Sequence, residues 1–133
     1  MTVAKDKPET LIVQHEEPRR FEVSGSSIAG MAIPERGAQQ IEVWHLVMSR
    51  GAASPLHWHD AEEVFIVTAG QGEVHSRGKK YEFTAPCTVI CPAREMHQVV
   101  NAGGGKLELY AIVPVGSKIF LEDGEELKLP WRQ

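Results

Sequence analysis

Residues 55–70 read PLHWHDAEEVFIVTAG, and two imidazoles and a carboxylate in that stretch could hold a metal ion. His57 and His59 are one residue apart. In an extended strand side chains alternate, so both imidazoles project to one face, with Cα atoms about 6.5–7 Å apart. Both can then reach one ion at the usual ~2.0–2.1 Å. In a helix the same two positions point to nearly opposite sides. Pro55 and the apolar flanks favour the strand. Glu63 lies four residues past His59, about 13 Å away at Cα if the strand runs straight. It can join the histidines only if the chain turns at Asp60-Ala61-Glu62 and returns as a second strand, with Glu63 facing them across the pair. Phe65 and Val67 then share the face of Glu63, and Val64 and Ile66 take the other. Both sets are apolar, as expected where a strand is covered on both sides.

The elements around this stretch read as short strands. LIVQHEE (11–17) and RRFEV (19–23) flank Pro18, and SGSSIAG (24–30) reads as a small-residue loop. QIEVWHLVMS (40–49), VFIVTAG (64–70) and GEVHSRGKKYEF (72–83) follow, with Gly70, Gly72 and Gly78 at the turns. TVICP, HQVVN and KLELYAIVPV continue the series, divided by Pro92 and by the AGGG run at 102–105. KIFLEDGEELKLPW (118–131) carries an Asp-Gly pair that predicts a tight hairpin turn. No segment has the period of an amphipathic helix of ten residues. Many short strands punctuated by Gly and Pro point to a β-sandwich or small barrel.

The totals narrow the possible partners. A chain of 133 residues suits one domain with one core. The net charge of −4 speaks against nucleic acid or an anionic membrane surface as the main partner. No apolar run approaches the ~20 residues of a membrane helix. MTVAKDKPET lacks the apolar core of a secretory signal, so residues 1–10 are expected to be a flexible solvated tail and the protein cytoplasmic. Cys87 and Cys91 would be about 13 Å apart on an extended segment, too far for a mutual bridge, and are read as buried thiols.

At this point a family resemblance emerges. Gly51, His57, His59, Glu63 and Gly70 resemble the first cupin motif at every defining position. Pro92, His97 and Asn101 resemble the second half of the second motif. In that motif Pro86 stands where a glycine usually opens it, and Arg94 stands where another glycine is expected. A non-Gly residue held at positive φ costs about 1 kcal/mol, so a different turn is expected at Arg94. The resemblance covers residues 40–115. It implies an all-β, double-stranded β-helix: a single jelly-roll barrel domain over residues 11–133, with core motifs at 51–101 and a C-terminal hairpin at 117–131. It implies His57, His59, Glu63 and His97 as ligands of one divalent transition metal. That donor set suits Fe, Mn, Ni, Zn or Cu. Some barrels of this kind bind no metal, but those typically lack one or more of the four ligands.

Around the metal, largely apolar walls are expected from Phe65, Val67, Val99, Leu107 and Leu109, with Met48, Trp44 and Met96 as further candidates. These suit a small organic molecule better than a sugar phosphate. Arg94 and Arg50 are the basic residues that could hold a carboxylate or enolate, the alternative for Arg94 being a surface salt bridge. Tyr110 supplies a proton or hydrogen bond if its strand turns it inward, and is core otherwise. Glu63, Arg94 and Tyr110 are thus the candidate catalytic residues. His15 and His75 read as surface residues, and His45 either lines the pocket or faces a partner subunit. Phe120, Leu121, Leu127, Leu129 and Trp131 must bury against the barrel or a second subunit, and a homodimer is favoured. The function expected first is a mononuclear, quercetinase-like dioxygenase acting on an enolic, dicarbonyl or phenolic compound. A metal-dependent lyase or isomerase of a sugar-derived acid comes second, and a non-enzymatic small-ligand binder third.

Overall fold

A computed structural model describes residues 9–15 and 19–132. Twelve strands follow in chain order: β1 Phe21–Val23, β2 Ser26–Ala32, β3 Ile41–Met48, β4 His57–His59, β5 Glu63–Ala69, β6 Gln71–Ser76, β7 Lys79–Thr84, β8 Cys87–Cys91, β9 Gln98–Val100, β10 Leu107–Pro114, β11 Ile119–Leu121 and β12 Glu126–Leu127. Two 3-10 turns cover Pro34–Arg36 and Pro130–Arg132. Among the described residues no helix is long and apolar enough to cross a membrane.

The strands form two walls. One is a six-stranded sheet in the order β1-β2-β3-β10-β5-β8. The other joins β12-β11-β4 to β7-β6-β9 through the bridges His57↔His97 and Ala53↔Val100. Strand alternation sets what lies between them. Leu107, Leu109, Ala111 and Val113 of β10 are at most 1% exposed, and Trp44, Met48, Phe65 and Val67 meet them from β3 and β5. Val74, Val99 and Ile119 close the core from the opposite wall.

Several sequence expectations change. Residues 24–30 are not a loop: after a turn at Ser24-Gly25 (φ 51 and 80), the small residues form the buried strand β2. Gly30 is paired with Trp44, and a Cβ there would come within 2.8 Å of the Ile33 side chain. Small size therefore serves close packing rather than chain flexibility. Residues 11–15 form no strand, and Leu11 and Ile12 are exposed; residues 16–18 and the first eight of the tail lie outside the described part. Gly72 lies inside β6, where a Cβ would meet Phe83 at 2.5 Å and the Val100 carbonyl at 2.8 Å, while Gly70 (φ 95) and Gly78 (φ 74) do occupy turns. The outer face of β5 is not fully covered, since Ile66 is 37% exposed and Ile90 on β8, paired with Val64, is 64% exposed.

The C-terminal hairpin forms at the Asp-Gly pair. Gly124 takes φ 91, and the Glu125 N–H donates to Asp123 Oδ1 at 2.9 Å. Its apolar residues bury on their own barrel. Leu129 is 3% exposed, Trp131 packs on Trp44 and Phe21, and Phe120 stacks on Trp58 at 4.4 Å.

Candidate metal centre

The strands carry the four expected ligand residues to one point inside the barrel. His57 and His59 sit on β4, Glu63 opens β5, and His97 precedes β9. β4 and β5 are not hairpin partners: they lie in opposite walls, so Glu63 faces the histidines across the barrel interior rather than along one sheet. One ligand atom from each of the four residues lies within 4.8 Å of the others. His59, Glu63 and His97 are each 2% exposed, and His57 is half-buried.

The hydrogen bonds fix which nitrogen each ring can offer. His57 Nδ1 lies 2.7 Å from the Pro55 carbonyl, which can only accept, so Nδ1 carries the proton and Nε2 keeps its lone pair. His97 Nδ1 faces the Glu95 carbonyl at 3.3 Å, and its Nε2 lies 3.2 Å from Glu63 Oε1. Among the described residues neither ring nitrogen of His59 has a hydrogen-bond partner, although its Nε2 is 3.1 Å from the same carboxylate oxygen. Three imidazoles thus converge on one carboxylate, a buried donor set that one cation would complete. These residues therefore fit a divalent metal: His57, His59, Glu63 and His97 would hold it.

Electrostatics agree with that fit. Burial, then the nearby His97, lower the His57 pKa to about 4, which keeps the ring neutral as a ligand must be. For Glu63 burial is the strongest influence and opposes ionisation. The polar contacts and charge of His59 and His97 outweigh it and bring the carboxyl down to about 2. Cys91, paired with Glu63 across β8 and β5, has its thiol pushed up to about 12 by burial and then by Glu63 and Glu95. It is an inert thiol, and both cysteines are free.

A cavity of about 70 Å³ adjoins the cluster. Trp44, Met48, Phe65, Val99, Leu109 and Leu129 are among its walls, with His57, His59 and Glu63 at one side. Val67 and Leu107 are core residues behind that lining, and Met96 lies outside the barrel. Among the described residues no Lys or Arg lines the cavity, and Glu63 is its one carboxylate.

Arg94 and Tyr110 are not brought to the cluster. Arg94 is exposed and takes φ 65, so the turn keeps the left-handed geometry that a glycine would favour, against expectation; its N–H donates to the His59 carbonyl at 2.8 Å. Tyr110 lies on the outer face of β10, its ring 4.9 Å from that of His45. His45 shares that outer face, 2.6 Å from Glu108, and does not line the cavity. His15 is exposed, and His75 pairs with Glu73 at 2.7 Å near the surface. Asn101, the last motif residue, is structural: its Nδ2 lies 2.8–3.1 Å from the carbonyls of Met48, Ser49 and Gly105.

Glu42 and Arg132 had no part in the sequence reading. Glu42 is 1% exposed, and its carboxylate receives Trp44 Nε1 at 2.9 Å, Trp131 Nε1 at 3.2 Å and Arg132 Nη2 at 3.1 Å. Arg132 also binds the Ser117 carbonyl and lies over the Trp44 ring. This buried pair ties the chain end over the barrel and holds Leu129 against the cavity. The available signal was an acidic residue in phase with Trp44, Leu46 and Met48 on an inward face.

Comparison with known proteins agrees with this architecture. The family model described as "Cupin domain" matches residues 44–113. Auxin-binding protein 1 of Arabidopsis thaliana is 33% identical over 100 residues, covering 68% of this chain and 50% of that protein. The chain thus spans about half the length of that relative. The polyketide cyclase RemF of Streptomyces resistomycificus superposes with a TM-score of 0.72 at 15% identity, over 93% of this chain and 89% of that one. A sugar phosphate isomerase of Silicibacter pomeroyi gives 0.69 at 18% identity, over 85% and 82%. The last two show the fold alone. With the two motifs, the two-walled barrel and the family model in agreement over more than half its length, the chain belongs to the cupin family.

Proposed function

We propose that this protein binds one divalent transition metal through His57, His59, Glu63 and His97 and uses it to hold an acidic oxygen of a small, largely apolar organic molecule. The observation that carries this reading is the pairing of the four-ligand cluster with an apolar cavity that, among the described residues, no Lys or Arg lines. An anionic ligand group would there find its positive charge only at the metal. Trp44, Phe65 and Leu109 would receive an apolar body of only a few heavy atoms, since the cavity holds about 70 Å³. The auxin-binding name of the Arabidopsis relative supports a small-ligand role. Titration of metal-loaded protein with propionate and with its neutral methyl ester tests this. The acid should bind and the ester should not; equal binding would overturn the reading.

A second reading is a metal-dependent dioxygenase of an enolic, dicarbonyl or phenolic compound. A redox-active ion would supply the electron transfer between enolate and O2, and Glu63, which lines the cavity, would accept the substrate's proton. A lyase or isomerase needs a further base, and no second carboxylate lines the cavity. O2 uptake with flavonols, diketones and catechols, under Fe, Ni or Cu loading in turn, tests the oxygenase. We also propose a homodimer, supported by the exposed outer-face residues Ile66 and Ile90, and sedimentation velocity would read its mass.

A further inference from the structure

The two walls of the barrel part on one side. Among the described residues β7 pairs only with β6, and β8 only with β5, so each ends its wall with a free edge. Strand alternation turns Tyr81 and Phe83 of β7 to the face of Val74, which lies opposite Tyr81 on β6 and is 4% exposed. It turns Cys87, Val89 and Cys91 of β8 to the face of Val67, Phe65 and Glu63. Both sets therefore face the interior. Both line one cleft of about 590 Å³, against about 70 Å³ for the cavity at the metal cluster.

The interior face is left unfilled here. Phe83, Cys87 and Val89 are half-buried and Tyr81 is 51% exposed, whereas Phe65 and Val67 on the next strand are 4% and 1% exposed. Covering such wet apolar surface is favourable. The turn through Ala85 and Pro86 joins β7 directly to β8, held by the Ala85 N–H on the Gly70 carbonyl at 3.0 Å. It closes one end of the cleft, so an extended peptide cannot run through, while a compact molecule can enter from the side. Charge narrows the occupant further. Among the described residues no Lys or Arg lines the cleft, and Glu82 and Glu95 do, which disfavours an anion. Glu82 is exposed to water and Glu95 is paired with Arg77 at 3.2 Å, so neither calls for a cation.

We propose that this cleft is a second ligand site, for an uncharged aromatic molecule of one or two rings. Tyr81 and Phe83 flank it on one side, and Cys87 and Val89 on the other. The site does not depend on the metal reading: it shares no lining residue with the cavity at the cluster, and of the four cluster residues only His97 borders it.

2-Naphthol is the probe, with 2-naphthoate as its anionic counterpart, each titrated into the full chain as purified and after chelation. Naphthol fluorescence should saturate with a Kd below about 1 mM in both preparations. In the chelated protein naphthoate should bind about tenfold more weakly or not at all. Cys87 lines the cleft and Cys91 is buried, so alkylation of Cys87 by iodoacetamide reports occupancy. Naphthol at about ten times its Kd should slow that alkylation about tenfold. Val89→Gln, at a half-buried position, should weaken naphthol binding about tenfold and leave zinc uptake unchanged. The proposal is overturned if naphthol does not bind, if its binding vanishes on chelation, or if naphthoate binds the chelated protein as well. It is equally overturned if Cys87 is unprotected, if Cys87 does not react even in free protein, or if Val89→Gln binds naphthol like the parent.

Discussion

Glu63 and His97 are thirty-four residues apart in sequence, yet Glu63 Oε1 and His97 Nε2 lie 3.2 Å from each other inside the barrel, each side chain 3% exposed. With His57 and His59 these groups lie close enough together to share one divalent cation.

The metal-free protein should lose stability as the solution is acidified. His57 has its pKa lowered from 6.5 to about 4 in the folded state, so between those values the unfolded chain holds a proton that the folded one does not. Stability is then full above about pH 6.5 and falls as pH drops towards 4. Glu63, lowered from 4.5 to about 2, is protonated in the unfolded chain before the folded one and continues the loss below pH 4.5. Thermal melts across pH 3–8 read both limbs. His57→Gln should flatten the limb between pH 6.5 and 4; an unchanged profile would show that His57 is not the group responsible.

Arg132→Ala should be strongly destabilising. It leaves the Glu42 carboxylate, 1% exposed, with only the two indole N–H donors. Removing one partner of a buried ion pair costs about 3–5 kcal/mol. Denaturant unfolding measures the loss. A change below about 1 kcal/mol, the size of an exposed pair, would mean that the chain end is not held this way.

Leu129→Ala should enlarge the cavity beside the metal centre, because Leu129 is 3% exposed and lines it. The expected cost is about 2–5 kcal/mol in stability, with a gain in affinity for ligands bulkier than the parent accepts. Ligand titration with a graded series of aromatic acids reads the second effect, which a purely structural residue would not produce.

Arg94→Gly separates backbone from side chain at the position the sequence marked as catalytic. Arg94 holds φ 65, so glycine should leave stability unchanged or raise it by up to about 1 kcal/mol. Since the side chain is exposed and outside the cavity, metal affinity and ligand affinity should stay the same. A large loss of ligand binding would restore Arg94 to the site.

Much of this was readable from residue spacing. His57 and His59 were legible as a pair because their spacing is local, whereas the joining of Glu63 and His97 to them was implied only by the resemblance to the two cupin motifs. The route of Glu63 was not legible: a turn at 60–62 suits a hairpin and a wall-to-wall crossing equally, and only the long-range pairing of β5 with β10 and β8 decides between them. The buried strand Ser26–Ala32 was hidden for a related reason. Its small residues look like a loop until the bulk of Trp44 opposite is known. Tyr110 illustrates the limit of strand phase, since β10 alternates cleanly but the sequence does not say which face meets the core.

The central claim is that His57, His59, Glu63 and His97 together hold one metal ion. Equilibrium dialysis of chelator-stripped protein against zinc or manganese, followed by elemental analysis, measures it directly beside the His97→Ala variant. The account predicts one tightly held ion per chain in the parent and loss of that ion in the variant. A parent that takes up none, or a variant that retains it undiminished, would contradict the account.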